Sequence, residues 1–353
     1  MNSMKAAIKT ADGRFRVEQV AIPQLPADDW VRARVRVAGI CGTDLRHWEK
    51  PDPDLEGRIM GHELAGEVVA VGAAVSDLAP GDRVSLETVL GCGHCQWCRA
   101  RRYNICPDLY PVRMDSVSRA YAEFVIGPRH KFYRLPAGVG FDDAALVDTY
   151  AVCLHAHHLA MPSVGETVAI IGAGPIGLGQ AMLAKASGAR VVIVDKVRRS
   201  LEIARELGVD AAVDAGDGDP VAAVRALING RGADVVFECV GGTSMPTTLP
   251  QAAGMARRGG RVAIVGGFDP GEITIPLDWQ AIQKGEIRLI PSASFALHDI
   301  DPEQAQVLDL IARGVLRTTP LITHRYPLDA INEAFETADR KAETGAIFVA
   351  IDI

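Results

Sequence analysis

Thr167-Val-Ala-Ile-Ile-Gly-Ala-Gly-Pro-Ile-Gly177 is the stretch that says most about the fold. Its apolar run up to Ile171 predicts a buried strand, and the Ala- and Leu-rich residues that continue to about Ser187 predict a helix. Glycines spaced Gly-x-Gly-x-x-Gly at such a turn let the backbone approach a pyrophosphate, whose charge the helix N-terminus also favours. We therefore predict a dinucleotide-binding loop formed by Gly172, Gly174, Pro175, Ile176 and Gly177.

Asp195 ends the next predicted strand, 23 residues after Gly172. An acid at this place accepts hydrogen bonds from the adenosine ribose and repels a 2′-phosphate. The sequence therefore predicts NAD as the cofactor, with NADP disfavoured. Gly266, which ends a later strand, is expected either to pass close to the nicotinamide ribose or to form a simple turn.

Short apolar runs alternate with helical patterns throughout residues 150–295. Near-continuous apolar strands that alternate with helices are typical of a parallel sheet covered on both faces. The segment therefore predicts an α/β, doubly wound (Rossmann) domain. Its last strand, predicted over 287–295, is expected at the open edge of the sheet, where pairing between subunits would cover it.

The first 149 residues have a β-rich pattern. Between Val31 and Val37, apolar residues alternate with arginines, which predicts a half-buried strand. Strand-like sequence also begins at Leu64, and the chain ends on another apolar run, Ala346–Ile351. We predict a domain made of residues 1–149 and the returning segment 296–353, with the dinucleotide-binding domain inserted between them.

Composition excludes several functional classes. The chain has 353 residues, 48% of them apolar, and 37 basic against 44 acidic residues give a net charge of −7. This acidity argues against nucleic acid or anionic lipid as a partner. No run of about 20 apolar residues predicts a membrane span, and no secretory segment is seen at the N-terminus. We expect a cytoplasmic protein with a small-molecule substrate.

Four cysteines within 15 residues have the spacing of metal ligands. Two-residue gaps let a tight loop fold around one tetrahedral ion, and four thiolates leave no position for a substrate. The pattern predicts a structural zinc in a lobe at about residues 91–107, and an iron–sulfur cluster is a less favoured alternative. The ligands are Cys92, Cys95, Cys98 and Cys106.

A second, dispersed set of residues has the composition of an open metal site. Cys41, His62 and Asp148 would supply one thiolate, one imidazole and one carboxylate, with Glu63 next to the histidine. Three protein ligands leave a fourth position for the substrate, as a catalytic zinc requires. From the spacing alone, turns and satisfied core or surface positions are favoured over a metal site for the same residues.

With these motifs, the chain resembles the zinc-containing medium-chain dehydrogenase/reductase family, and most closely its polyol (sorbitol) and threonine dehydrogenase branch. The resemblance extends over nearly the whole chain and implies a GroES-like fold for the β-rich catalytic domain. Its segments are Ile40–Asp44, Gly61–Gly66 with Gly72, the four-cysteine lobe, the glycine loop and Leu321–Leu328.

The resemblance also implies the ligands of a catalytic zinc. Cys41 and His62 match two of the family's ligands. Asp148 falls where polyol dehydrogenases have a glutamate and some bacterial secondary-alcohol dehydrogenases an aspartate. Glu63 matches a glutamate that can take its place among the ligands. Two zinc ions per chain are therefore expected, one catalytic and one structural.

Three further residues are assigned roles by the same resemblance. Asp44 matches the acid that orients the histidine ligand, and Thr43 matches the hydroxyl that contacts the substrate oxygen and passes its proton outward. The histidine that ends this relay in much of the family is shifted by one residue here, to His47, because Arg46 stands in its usual place.

The function expected from all this is hydride transfer between NAD and a secondary hydroxyl of a polyol, a cyclitol or a sugar acid. Simple secondary alcohols or a β-hydroxy amino acid such as threonine are the alternative substrates. A non-catalytic dinucleotide-binding protein, or a zinc-free quinone reductase relative, is the alternative of another class. Segments that could border the substrate contain Arg46, His47, Trp48, Arg58, Arg113, Ser118 and Arg119. For the arginines, a solvated surface position is favoured over a contact with the substrate. A homo-oligomer, either a dimer or a tetramer, is expected.

Overall fold

A computed structural model describes residues 3–109, 120–267, 271 and 273–353. The chain divides into two compact units, Met1–Thr149 with Ala296–Ile353, and Tyr150–Phe295. Among the described residues, no helix combines the length and the apolar character needed to cross a membrane.

The N-terminal part of the first unit is mainly β-structure. Its elements are β1 (Ser3–Lys9), β2 (Phe15–Ala21), β3 (Trp30–Gly39), α1 (Gly42–Leu45), β4 (Glu63–Val71), β5 (Arg83–Leu86), α2 (Gln96–Arg99), β6 (Phe124–Pro128), β7 (Phe132–Arg134) and α3 (Phe141–Ala145).

The second unit alternates strands and helices. After α4 (Val147–Ala160), which begins in the first unit, its elements are β8 (Thr167–Ile171), α5 (Pro175–Ala186), β9 (Arg190–Asp195), α6 (Arg198–Glu206), β10 (Ala211–Asp214), α7 (Pro220–Leu227), β11 (Ala233–Glu238), α8 (Met245–Met255), β12 (Ala256–Ile264), α9 (Trp279–Gly285) and β13 (Arg288–Pro291).

The C-terminal segment completes the first unit. Its elements are β14 (Leu297–His298), β15 (Asp301–Pro302), α10 (Glu303–Ala312), β16 (Ile322–Pro327), α11 (Ile331–Asp339), α12 (Lys341–Thr344) and β17 (Phe348–Asp352).

The main sheet of the first unit has the strand order β16-β17-β3-β4-β5-β7, with β6 also paired to β3. The apolar side chains of β3 from Val31 to Val37 are buried, while Arg32, Arg34 and Arg36 lie at least partly in solvent. This is the period-2 burial that the sequence predicts. Because β17 pairs with β3, the C-terminal segment belongs to the same sheet as residues 30–39.

The second unit contains a six-stranded parallel sheet in the order β10-β9-β8-β11-β12-β13. Strands β8 and β11 are neighbours, so the order reverses between them, and ligands of such sheets bind at this switch point. The apolar residues of β8, β9 and β11 are almost completely buried. The predicted α/β fold class is confirmed.

The edge strand β13 is shorter than predicted. The sequence predicts a strand over 287–295, whereas β13 ends at Pro291. Proline has no N–H to continue a ladder, and Ser294 has a positive φ of 51°, so the chain leaves the sheet here. β13 nevertheless forms the edge of the sheet, as expected.

Candidate active site

The four cysteines of the lobe form one cluster. The sulfur atoms of Cys92, Cys95, Cys98 and Cys106 all lie within 4.8 Å of one another. Backbone N–H groups point at them: Cys95 donates to Cys92 Sγ and Cys98 to Cys95 Sγ, each at 3.4 Å. Gly91 has no room for a side chain, because a Cβ there would lie 2.6 Å from Cys98 Sγ.

The chemistry of this cluster suits a soft divalent cation. The donated N–H of Cys95 lowers the pKa of Cys92 to about 6, whereas burial raises the pKa of Cys98 to about 12. Four thiolates can share one small volume only if a cation compensates their charge. A closed set of four sulfur ligands is what structural zinc prefers, so the residues fit that ion.

Cys41 and His62 meet in the first unit although 21 residues separate them. Cys41 is the N-cap residue of α1, and His62 directly precedes β4. The thiol and the imidazole are hydrogen-bonding partners, and His62 is 9% exposed. The two elements thus bring a sulfur and a nitrogen donor to one place.

Asp44 joins these two residues. Its Oδ2 accepts a hydrogen bond from the N–H of Cys41 at 3.2 Å, and its Oδ1 lies 3.5 Å from His62 Nδ1. Burial raises the pKa of Asp44, but the contacts with His62, the Tyr121 hydroxyl and the Cys41 N–H outweigh it, and the net pKa is lowered. An ionised Asp44 at Nδ1 leaves Nε2 of His62 available to a metal.

Glu63 and Asp148 form a second pair of buried groups. Thr149 donates its hydroxyl hydrogen bond to Glu63 Oε1, while Glu63 Oε2 is buried without a hydrogen-bond partner. Burial raises the pKa of Glu63 to about 7, and repulsion from Asp148 acts in the same direction, against the attraction of His62. A buried carboxylate oxygen without a donor is compatible with a cation nearby.

The four lobe thiols lie within 4.8 Å of one another, but the ligand atoms of Cys41, His62 and Asp148, which the structure also describes, are not all this close together. The structure joins Cys41 to His62 and places Glu63 under the influence of both His62 and Asp148. The donor set of sulfur, nitrogen and oxygen fits an open zinc site.

Thr43 lies beside this site. Its Oγ1 is 3.3 Å from His62 Nε2, the nitrogen that faces away from Asp44. His47 instead pairs through Nδ1 with Asp52 at 3.1 Å, and its carbonyl oxygen accepts a hydrogen bond from the buried Lys9. The structure therefore places Thr43, but not His47, in contact with a predicted ligand.

The residues of the segments that could border the substrate have different surroundings. Trp48 is 6% exposed and packs in an aromatic cluster with Phe15 and Phe335, so it is a core residue. Arg58 is half-buried and donates to the Asp54 carbonyl at 2.7 Å. The predictions for Arg113, Ser118 and Arg119 lie outside the described residues.

The glycine loop of the second unit connects β8 to α5. Gly172 has a φ of +97°, and a Cβ at Gly177 would lie 1.7 Å from the Gly172 carbonyl oxygen. A Cβ at Gly174 would meet nothing within 4 Å. Gly172 and Gly177 are therefore required by the turn itself, whereas Gly174 leaves an open backbone surface at the start of α5, which begins at Pro175 with Ile176 next.

Asp195 lies at the end of β9 and faces this loop. Its Oδ2 accepts a hydrogen bond from the Ala173 N–H at 2.5 Å, and its Oδ1 accepts one from the Val197 N–H at 2.8 Å. These bonds fix the carboxylate beside the loop, at the carboxyl end of the sheet.

Gly266 and Glu238 lie at the same end of the sheet. A Cβ at Gly266 would lie 2.3 Å from the Gly241 N and 2.6 Å from Glu238 Oε2. Glu238 is fully buried, and its Oε1 accepts bonds from Val240 N–H, Gly241 N–H and the Thr248 hydroxyl. Gly266 thus permits close packing of the loops that follow β11 and β12.

Sequence reasoning missed three polar residues of these sites: Tyr121, Thr149 and Glu238. Only Glu238 carried a usable signal, since it is an acid that ends an apolar strand, as Asp195 is. Tyr121 and Thr149 act through partners 77 and 86 residues away, which no local pattern indicates.

A glycine loop on a six-stranded parallel sheet, together with a four-thiol site on a β-rich unit, defines the class of zinc-containing, dinucleotide-dependent dehydrogenases. Two family models of zinc-dependent dehydrogenases match this chain. The alcohol dehydrogenase GroES-like domain matches residues 27–137, and the zinc-binding dehydrogenase domain matches residues 175–313.

Individual proteins are similar over nearly the full length. The sorbitol dehydrogenase of Bacillus subtilis is 32% identical (95% of this chain, 94% of that protein), and the L-threonine 3-dehydrogenase of Thermococcus kodakarensis is 36% identical (98% and 97%). The solved structure of a candidate zinc-binding dehydrogenase from Sinorhizobium meliloti 1021, bound to NADP, is 31% identical over all of both chains, with a TM-score of 0.87. The chain belongs to the zinc-containing medium-chain dehydrogenase/reductase family, in its polyol dehydrogenase branch. The family supports an oxidoreductase that uses zinc and a nicotinamide dinucleotide.

Proposed function

We propose that the protein is an NAD-dependent zinc dehydrogenase that oxidises a secondary hydroxyl group of a polyol, a cyclitol or a sugar acid. The observation that carries this proposal is the meeting of Cys41 and His62 around the buried carboxylate of Asp44. Such an arrangement holds a thiolate and an imidazole in fixed positions, which a catalytic metal requires and a merely structural turn does not.

The residues of the open site have distinct tasks in this proposal. Cys41 and His62 hold the ion, and Asp148 or Glu63 completes the set. Bound zinc would supply Lewis-acid polarisation of the substrate oxygen, and the dinucleotide would supply the hydride acceptor. Thr43, whose hydroxyl can both donate and accept, takes the proton of the substrate hydroxyl and passes it outward, with His47, which pairs with Asp52, as the proposed outer end of the relay.

The proposed preference for NAD is supported by Asp195. Its carboxylate is fixed beside the glycine loop, where a ribose 2′-hydroxyl can donate to it and a 2′-phosphate is repelled. Because one solved relative is bound to NADP, the preference of this chain for NAD must be measured directly.

The substrate class is proposed from the polyol branch. A dehydrogenase of a β-hydroxy amino acid is the second candidate, favoured by the 36% identity to an L-threonine 3-dehydrogenase. The test is a screen of sorbitol, myo-inositol, gluconate, L-threonine and 2-butanol with NAD and with NADP, in which reduced cofactor is followed by absorbance. Highest kcat/KM on a polyol or sugar acid with NAD supports the proposal, and highest kcat/KM on threonine supports the second candidate.

A non-catalytic dinucleotide-binding protein is distinguished by metal content. The proposed enzyme holds two zinc ions per chain, whereas the non-catalytic alternative holds only the ion of the four-cysteine lobe. If the zinc-loaded protein contains one ion per chain and oxidises none of these compounds, the proposed function is wrong.

We also propose a homo-oligomer, since pairing of the exposed edge strand β13 between subunits would satisfy its free backbone groups. Light scattering should give at least twice the chain mass of 37.6 kDa, and a monomer would contradict this.

A cytoplasmic location is proposed from the seven cysteines, none of which is in a disulfide, because thiol ligands need a reducing compartment.

A further inference from the structure

Tyr121 touches the open metal site without being a metal ligand. It precedes β6 and is completely buried, and its hydroxyl oxygen lies 2.9 Å from Asp44 Oδ2 and 3.0 Å from the Gly39 carbonyl oxygen. Both neighbours are acceptors, so the single hydroxyl hydrogen of Tyr121 is shared between them. Its ring is held edge-on by Phe15 and Phe335, with centroids 6.0 and 5.8 Å away.

The backbone around Tyr121 is tied to the segment that leads into His62. The Tyr121 N–H donates to the Met60 carbonyl at 3.0 Å, and the Ala120 N–H donates to the Gly61 carbonyl at 3.2 Å. Gly61 has a φ of +90°, and a Cβ there would lie 2.8 Å from the Tyr121 ring. The ring therefore packs directly against the residue before His62.

The same tyrosine also controls the acid that faces His62. Asp44 Oδ2 receives the Tyr121 hydroxyl and the Cys41 N–H, while Asp44 Oδ1 faces His62 Nδ1. Loss of the hydroxyl would leave one buried oxygen of this carboxylate with a single donor, and the carboxylate could then rotate. Rotation would change both contacts that Asp44 makes with the candidate ligand residues.

We propose that Tyr121 is a positioning residue of the open metal site, where its hydroxyl fixes Asp44 and, through Asp44, the geometry of Cys41 and His62. This inference rests on the proposed function, since it needs a metal at that site. Outer hydrogen bonds to metal-ligand residues contribute about 10- to 100-fold in metal affinity. Removal of this hydroxyl should weaken zinc binding at the open site by about 10-fold, at the lower end of that range.

The test compares zinc-loaded Tyr121→Phe with wild type by chelator competition, which follows the ion that Cys41→Ser lacks, together with urea unfolding. Tyr326→Phe is the matched control, because the hydroxyl of that tyrosine, in the same unit, bonds to Thr337 (2.7 Å) rather than to Asp44. The expected result is weaker open-site zinc binding in Tyr121→Phe only. Equal zinc affinity in Tyr121→Phe, Tyr326→Phe and wild type would overturn the proposal.

A double-mutant cycle with Asp44→Asn separates positioning from mere structural support. If Tyr121 acts through Asp44, Tyr121→Phe should change zinc affinity little in the Asp44→Asn background. Additive losses of affinity in the double variant would overturn the proposal, even where Tyr121→Phe destabilises the fold. If wild type itself binds one zinc and Cys41→Ser does not alter this, the proposed function has failed, and that outcome is recognisable before any Tyr121 variant is made.

Discussion

Gly172, Gly174 and Gly177 belong to one motif, yet the structure gives them different physical tasks. A side chain at Gly177 would collide with the Gly172 carbonyl, whereas a side chain at Gly174 would enter open space. The collision at Gly177 would destabilise the folded protein. We propose that the open space at Gly174 lets the backbone approach a bound pyrophosphate.

Gly177→Ala should therefore mainly lower stability, whereas Gly174→Ala should mainly weaken cofactor binding. Gly177→Ala should lower the free energy of unfolding by about 3 kcal/mol, because its Cβ has no space. Gly174→Ala should change this free energy by no more than about 1 kcal/mol but weaken NADH binding at least about 10-fold. Urea unfolding without cofactor and fluorescence titration with NADH measure the two quantities. Equal behaviour of the two variants would contradict the assignment.

Asp195→Ala tests the proposal that Asp195 accepts hydrogen bonds from the adenosine ribose of NAD. Since a charged acceptor contributes about 1.5–3 kcal/mol per hydrogen bond, the ratio of kcat/KM for NAD over NADP should fall by about 10-fold or more. Asp214→Ala is the control, because Asp214 ends the adjacent strand β10 in register with Asp195. An NAD-to-NADP ratio unchanged in Asp195→Ala would show that another residue selects the cofactor.

Between elements, a buried ion pair joins the segments that follow β5 and precede β7. Lys131 Nζ lies 2.6 Å from Glu87 Oε1 and 3.7 Å from the Tyr103 ring centroid, and the Tyr133 hydroxyl donates to Glu87 Oε2 at 2.8 Å. Both charged side chains are at most 5% exposed. Removing one partner would leave the other charge buried and uncompensated.

Lys131→Met should lower the free energy of unfolding by about 3–5 kcal/mol, and the double variant with Glu87→Gln should lose less. Arg313→Met is the control, because its pair with Asp309 is more than 60% exposed on both sides and should contribute about 0.5 kcal/mol. Urea unfolding measures all four proteins. A loss for Lys131→Met no larger than for Arg313→Met would contradict the importance of burial here.

Helix α4 contacts strand β11 through His157, which stacks on Phe237 with centroids 6.4 Å apart and bonds through Nε2 to the Ser187 hydroxyl. Burial, helped by His158, lowers the pKa of His157 to about 4. The unfolded chain then binds more protons than the folded one between about pH 6.5 and pH 4. Stability contributed at neutral pH is therefore lost as the pH falls through this range.

We expect the free energy of unfolding to fall by about 2–3 kcal/mol from this group between pH 7 and pH 4. His157→Gln, which has no titrating ring, should show a flatter profile over the same range. Urea unfolding at pH 7, 5.5 and 4 measures it. Parallel profiles for wild type and His157→Gln would mean that the buried imidazole is not what makes the protein acid-sensitive.

At the scale of the whole chain, the sequence predicts those structural features that depend on residues close together in the chain. The alternation in β3, the apolar run of β8 and the spacing of the four lobe cysteines are all local patterns, and each corresponds to an observed element or cluster. The sequence predicts too long a strand β13, because Pro291 and the positive φ of Ser294 act against an otherwise strand-like composition. Local patterns fail where one residue opposes its neighbours.

The open site was predictable only through resemblance to a family. Its residues come from distant segments, and the Tyr121 and Thr149 hydroxyls are matched to carboxylates 77 and 86 residues away. Trp48 lies in the core although its segment could border the substrate, since packing can direct an aromatic residue beside polar sequence either way. Such contacts depend on strands from distant parts of the chain, as the pairing of β17 with β3 also does.

The most direct test of the central claim is the zinc content of wild type, Cys41→Ser and Cys95→Ser, measured by mass spectrometry of metals alongside NADH binding and turnover. We predict two zinc ions per chain in wild type and one in Cys41→Ser, which should bind NADH normally but have no turnover. Cys95→Ser should lose the other ion. A Cys41→Ser protein that keeps both ions and full turnover would contradict the proposed catalytic zinc.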